Sequence, residues 1–154
     1  AVTADPALPG LIGCSLAPSA TAHGSAAQNF ERGTMIWLSS VNGGTGTIYA
    51  FFSDGRFRRF DDTFVEGVDP ATGGETAPAG LTEPARGFGK VWRNNADVRS
   101  ALGWAASVEQ GGSANSLGFE RGRAIYLTQR GDTFLLVEDP GGLSGTWRPI
   151  AAAF

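Results

Sequence analysis

One tetrapeptide occurs twice in this chain, and its repetition constrains the fold more than any other feature. Phe30-Glu31-Arg32-Gly33 recurs as Phe119-Glu120-Arg121-Gly122, 89 positions later, and the match continues from Ile36-Trp37-Leu38 to Ile125-Tyr126-Leu127. Ordered self-similarity of this kind is typical of a repeated supersecondary unit. We therefore predict one domain over residues 1–154, with repeat one at about 11–67, a linker at 68–84 and repeat two at about 85–150.

Each repeat is predicted to form an antiparallel meander of three strands. Apolar runs separated by turn residues place these strands at 34–39, 47–53 and 56–61, and at 123–129, 133–138 and 145–150. Residues 91–102 are predicted to be helical, with Asn95 as a cap and Gly103 just beyond the end. The predicted fold class is mainly β: two pseudo-symmetric three-stranded antiparallel meanders with one or two short helices.

Alternation along the strands predicts which side faces the core. The expected inward positions are Ile36, Leu38, Ile125 and Leu127. The opposite face carries Met35, Trp37, Ala124 and Tyr126. An aromatic residue at the same place in both repeats belongs either to a second packing layer, covered by residues 68–104, or to a ligand-binding surface. Burial is the commoner outcome for large aromatic side chains.

Composition excludes several classes of site. With one cysteine, one histidine and a net charge of −3, the chain has no intramolecular disulfide and no basic field for a phosphate backbone. The same scarcity disfavours metal, cofactor and histidine-based catalytic sites. No apolar run reaches the roughly 18 residues of a membrane span, so membrane insertion is not expected. His23 is predicted to face solvent in a loop.

Three short motifs carry rival interpretations. Arg130-Gly131-Asp132 spells a cell-adhesion tripeptide, but its place between two strands favours a hairpin turn. Leu11-Ile12-Gly13-Cys14 spells a lipoprotein cleavage box, but the preceding residues lack a hydrophobic region, so we predict a small buried thiol at Cys14. The acidic residues from Asp61 to Asp69 suit either a calcium ion or a solvated turn, and the turn is favoured.

The paired Glu-Arg dipeptides at 31/32 and 120/121 invite an acid–base interpretation. Adjacent strand residues point to opposite faces, however, and identical residues in two repeats favour identical structural duties. We predict that each carboxylate accepts backbone N–H groups at the entrance of its meander. No catalytic residues are predicted, and the chain is not expected to be an enzyme.

Aromatic residues are the strongest candidates for ligand binding. Flat rings stack on the C–H faces of sugars, while polar loops bind the hydroxyl groups. The predicted ligand-binding residues are Trp37, Trp92, Trp104, Tyr126 and Trp147.

Some of these residues also lie in a recognisable pattern. Leu102-Gly103-Trp104-Ala105, Glu109, Gly111-Gly112, Phe119-Glu120-Arg121-Gly122 and Ile125-Tyr126 resemble the LGFP-type repeats of bacterial cell-surface proteins. With residues 84–93 added, the pattern is similar to an extracellular tandem-repeat module of Chloroflexota-like bacteria over residues 10–150. The resemblance implies a secreted or cell-envelope location and a role in contacting wall glycans.

Two functions follow as hypotheses. The first is a non-catalytic extracellular or cell-envelope module that binds a cell-wall or environmental glycan through its aromatic side chains. The alternative is a structural subunit that binds copies of itself in a fibre, layer or larger complex. For the alternative, residues 87–95 are expected to cover repeat two, whereas the short leader 1–12 or the tail 151–154 meets another chain.

Overall fold

The computed structural model describes residues 8–40 and 43–151 and shows a closed barrel of eight antiparallel strands. The leader up to residue 7, the loop residues 41–42 and the tail from residue 152 lie outside the described residues. The strands are β1 (Thr21–Phe30), β2 (Gly33–Leu38), β3 (Thr47–Phe52), β4 (Arg56–Asp61), β5 (Gln110–Phe119), β6 (Gly122–Leu127), β7 (Asp132–Glu138) and β8 (Ser144–Ile150). The helices are α1 (Leu8–Ile12), α2 (Arg86–Asn94) and α3 (Ala96–Leu102).

The barrel is assembled from two meanders of four strands each. Strands β1 to β4 form one meander and β5 to β8 the other, and the circle closes through antiparallel pairing of β1 with β5 and of β4 with β8. The mainly β class with few short helices is therefore confirmed. The expected count of three strands per meander is wrong, because β1 and β5 were missed.

The missed strands are made of small and polar residues. Apart from the terminal phenylalanines, β1 and β5 contain mainly Gly, Ala, Ser and Asn, which have low strand propensity and leave no apolar alternation to detect. They pair with each other in the register Gly24↔Ser113, and these two residues are 89 positions apart. The repeat offset therefore coincides with a local two-fold relation between the meanders.

The barrel interior is filled by apolar side chains from both meanders. Ile36, Leu38, Ile125 and Leu127 are buried there, as strand alternation predicts. Phe51 of β3 stacks on Phe134 of β7 with ring centroids 4.4 Å apart. A small barrel packed with side chains leaves ligand binding to its outer surface.

The outer face of the first meander is covered by helices. Met35 is fully buried there, under a layer that includes Phe88, Trp92, Val98 and Leu102. Residues 68–104 thus supply a packing layer over Met35, while Trp37 packs against this layer and stays half-buried. The expectation that residues 87–95 cover repeat two is wrong, because they pack on repeat one.

The helices cross over between the repeats. Glu31 Oε1 accepts the N–H of Trp104 at 2.9 Å, and Glu120 Oε1 accepts the N–H of Cys14 at 2.9 Å. Arg32 donates to the Ser100 carbonyl, just as Arg121 donates to the Gly10 carbonyl. The predicted role of the two carboxylates as backbone acceptors is confirmed. Each meander therefore binds the chain segment that precedes the first strand of the other meander.

The helical prediction needs one correction. Residues 86–102 form two helices that meet at Asn95, whose side chain donates to the Val91 carbonyl and so satisfies the end of α2. The same side chain makes no cap hydrogen bond to α3. Gly103 follows α3 with φ of 75°, as predicted for a helix end.

Candidate functional site

The five predicted ligand-binding aromatics are not gathered on one surface. Trp92 is fully buried, and its Nε1–H donates to the Gly103 carbonyl at 2.7 Å. Trp104 is half-buried beside it, with ring centroids 5.1 Å apart. The Arg99 guanidinium lies over both rings and binds Glu75. The Trp92–Trp104 pair therefore packs the helices against the barrel.

Trp147 and Tyr126 occupy two further places. Trp147 packs against the barrel interior beside Phe51 and Phe134, and its Nε1–H donates to the Phe52 carbonyl at 2.9 Å. Tyr126 is half-buried on the outer side of the second meander, at the position that corresponds to Trp37 in the first.

Trp37 lies across the outer surface of the first meander, where Gly46 leaves room for its ring. A Cβ on Gly46 would overlap its Nε1, and a Cβ on Gly24 would stand 4.0 Å from Cζ3 at the other end of the indole. The indole therefore spans from β1 to the start of β3. Its Nε1–H is buried without a hydrogen-bond partner among the described residues, and the half-exposed ring lines a pocket.

This pocket has a volume of about 220 Å³ and is the candidate site, called here the Trp37 pocket. Its floor comes from the sheet, and its walls come from the segment after β4, from the start of α2 and from the approach to β5. The lining side chains that carry polar or aromatic groups are Trp37, Asp62, Phe64, Arg86, Phe88 and Glu109. Distant parts of the chain thus meet over one tryptophan.

The carboxylate of Asp62, which follows β4, lies beside the first turn of α2. Its Oδ1 accepts the Phe64 N–H at 3.2 Å, and a Cβ on Gly87 would stand 2.8 Å from the same oxygen. Only a glycine in the first turn of α2 allows the carboxylate so close. The positive end of the helix dipole favours a negative charge at this place.

Glu109 and Arg86 complete the polar wall. Desolvation raises the pKa of Glu109 above its ordinary 4.5, Arg86 opposes this rise, and Asp62 adds to it. The guanidinium of Arg86 lies 3.5 Å from Glu66 and over the Phe64 ring. The Trp37 pocket therefore combines an aromatic face with carboxylate acceptors, a combination that binds sugar hydroxyls and rings.

From the sequence, Asp62 was a candidate only for calcium, and the other four polar or aromatic wall residues were not predicted to bind a ligand. Among the described residues no group of three or more His, Cys, Asp or Glu side chains could hold a metal ion. Asp69 instead binds Lys90 at 3.0 Å. The Arg-Gly-Phe run that opens α2 was the available signal, since it falls within residues 84–93 of the sequence pattern. Sequence spacing alone gave no reason to place it over Trp37.

Other motif predictions have mixed outcomes. Arg130-Gly131-Asp132 forms the hairpin turn between β6 and β7, with Gly131 at φ of 70°. Cys14 is exposed, so its predicted burial is wrong; its backbone N–H donates to Glu120 Oε1 at 2.9 Å. His23 is not a solvent-facing loop residue, because it lies in β1 with ring nitrogens 2.8 Å from the Ser39 carbonyl and 2.7 Å from Ser116 Oγ.

Comparisons with known proteins add no family. No protein-family model, curated protein or solved structure matches the chain. Within the described residues, no helix is long and apolar enough to cross a membrane. Functional inference therefore rests on the geometry of the Trp37 pocket and on the sequence pattern.

Proposed function

We propose that this chain is a non-catalytic extracellular or cell-envelope module that binds polysaccharide, and that the Trp37 pocket is its binding site. The observation that supports this most is the indole of Trp37, laid across the sheet beside Asp62, Phe64 and Glu109. One sugar ring stacks on the indole while the carboxylates accept its hydroxyl groups. The resemblance to cell-surface repeats supports the location and the glycan class.

Of the five aromatics predicted from sequence, only Trp37 lines this pocket, so the proposal narrows to it. Trp92, Trp104 and Trp147 hold helices and barrel together through ring packing. Tyr126 provides an internal control. It occupies the corresponding strand position in repeat two, and no wall from α2 stands over it among the described residues.

Calorimetric titration with cell-wall and plant oligosaccharides tests the proposal. We expect Trp37→Ala to abolish heat release with an oligosaccharide that the natural chain binds, and Tyr126→Ala to retain it. Circular dichroism and the melting temperature of both variants show whether the fold persists. Asp62→Asn, which leaves the ring in place, should weaken binding. Equal affinity in the natural chain, Trp37→Ala and Asp62→Asn would exclude the Trp37 pocket.

The non-catalytic part of the proposal has its own test. Two carboxylates line the Trp37 pocket, and paired carboxylates are also the equipment of glycoside hydrolysis. We expect an oligosaccharide incubated with the protein to keep its length, as measured by mass spectrometry. Shortened products that disappear in Glu109→Gln would make the chain an enzyme.

Self-assembly is the alternative proposal. Two exposed leucines, Leu11 at 44% and Leu16 at 70%, supply apolar surface that a second copy of the chain would cover. Light scattering of the full chain distinguishes the two proposals. A monomer mass over a wide concentration range supports the binding module, and growth with concentration that Leu16→Ser removes supports assembly.

A further inference from the structure

The charges around the Trp37 pocket are not balanced. Its lining holds two carboxylates, Asp62 and Glu109, and one guanidinium, Arg86. That guanidinium is shared with Glu66, which stands 3.5 Å from Arg86 Nε outside the lining. The pocket with its immediate surroundings is therefore acidic, in a chain whose net charge is only −3.

The two carboxylates differ in what surrounds them. Asp62 accepts the Phe64 N–H and rests against the first turn of α2, which stabilises its charge. Glu109 makes no hydrogen bond or ion pair among the described residues. Its side chain is exposed on the pocket wall, where its carboxylate lies within the field of Asp62 and neighbouring groups raise its pKa by partial desolvation. A positive group on a ligand would relieve both penalties at once.

Extending the proposed function, we infer that the Trp37 pocket selects a saccharide that bears a free amine. The sugar ring stacks on Trp37, and its ammonium group lies against Glu109, on the side facing Asp62. Acetylation removes both the charge and two of the three N–H donors of the ammonium, whereas a uronic acid adds a repelled charge. The chemical class is thus a de-acetylated amino sugar within a polysaccharide.

Calorimetry with tetramers of glucosamine, N-acetylglucosamine and glucose tests this inference near neutral pH. We expect the glucosamine tetramer to bind about threefold to fivefold more tightly than the other two, a difference typical of one ion pair at an exposed carboxylate. Glu109→Gln should remove most of that preference, because it lowers the affinity for the glucosamine tetramer more than the affinity for the glucose tetramer.

A control separates this contact from general attraction between a cationic ligand and an acidic protein. Asp97→Asn makes the same change in net charge on α3, away from the Trp37 pocket, where Asp97 binds Arg58. We expect this variant to keep the full preference. Equal loss in Asp97→Asn and Glu109→Gln would overturn the inference, as would similar affinities of the natural chain for all three tetramers. The latter result leaves the proposed function standing, whereas no binding of any oligosaccharide removes both.

Discussion

At the scale of single residues, the arrangement of Trp37 depends on a missing side chain. Gly46 lies where a Cβ would overlap the indole Nε1 and approach the Leu38 carbonyl to 2.9 Å. Glycine here is not needed for a left-handed backbone. Its role is to let a large ring lie flat on neighbouring strands.

Gly46→Ala is therefore expected to displace the indole. Overpacking of this kind lowers the free energy of unfolding by about 1–3 kcal/mol, and we expect a weaker affinity for any ligand of the Trp37 pocket. Urea denaturation and calorimetry measure the two effects. Gly111→Ala in β5 is the matched control, because a Cβ there meets nothing within 4 Å. Unchanged binding in Gly46→Ala would show that the orientation of the ring is unimportant.

Glu109 gives a pH-dependent prediction. Because burial raises its pKa in the folded state, folding is favoured by protonation and loses that contribution as pH rises through the folded-state pKa. Arg86 and Asp62 act on the same carboxyl in opposite directions. Glu109→Gln should therefore gain stability relative to the natural chain at neutral pH.

This relative gain should shrink and end below pH 4.5, the ordinary value, where both folded and unfolded chains bind the proton. Urea denaturation of both proteins across this pH range measures it. A constant difference at every pH would mean that the carboxyl is fully solvated in the folded state.

Sequence patterns predicted which face of the sheet a side chain occupies better than they predicted which residues it contacts. Alternation was sufficient for Ile36 and Ile125, because each residue's face follows from strand geometry alone. It was insufficient for Cys14 and His23. Cys14 contacts Glu120 and His23 contacts Ser116, each about 100 positions away in the sequence. Local alternation cannot predict such contacts.

At the scale of elements, the two strands of small residues explain what the sequence concealed. β1 and β5 are the longest strands, with 10 residues each, yet neither shows an apolar alternation. Their interior positions include Ala27 and Ala114, which leave space for the stacked rings of β3 and β7. Strands made of small residues lack the apolar alternation by which a strand is predicted from sequence.

The crossed helices explain how the Trp37 pocket obtains its wall from α2. The segment before β5 is long enough for α2 and α3, whose residues cover the first meander, while the described part of the segment before β1 provides only α1 for the second meander. Leu102 and Ile12 end the respective helices and are 0% and 1% exposed. The two buried residues therefore occupy equivalent places, but the helical segments that they fix to the barrel differ in length.

This difference gives a paired prediction. Leu102→Ala and Ile12→Ala should each lower the free energy of unfolding by about 2–5 kcal/mol through cavity formation. Only Leu102→Ala should also weaken binding at the Trp37 pocket, because α3 is joined to the helix that forms its wall. Denaturation and calorimetry of the two variants measure both effects. Loss of binding in Ile12→Ala, with its fold intact, would contradict this division.

At the scale of the whole molecule, the repeats are interleaved in one barrel. Both contribute rings to the interior stack, and the Trp147 indole of repeat two donates to the Phe52 carbonyl of repeat one. Each repeat also holds the helix that precedes the other through its Glu-Arg pair. Because the barrel closes through strand pairs between the two meanders, removal of one meander would leave the other as an open sheet.

We therefore expect cooperative unfolding despite the repeated sequence. Phe51→Ala, which removes one ring of the Phe51–Phe134 stack, should lower the free energy of unfolding by about 3–5 kcal/mol and shift every probe together. Far-ultraviolet circular dichroism follows the whole sheet, and tryptophan fluorescence follows the helical layer and Trp147. Leu143→Ala, at a side chain 64% exposed, is the control and should shift neither curve. Two separated transitions, or a shift seen by one probe alone, would mean that the repeats unfold independently and that the contacts between them contribute little to stability.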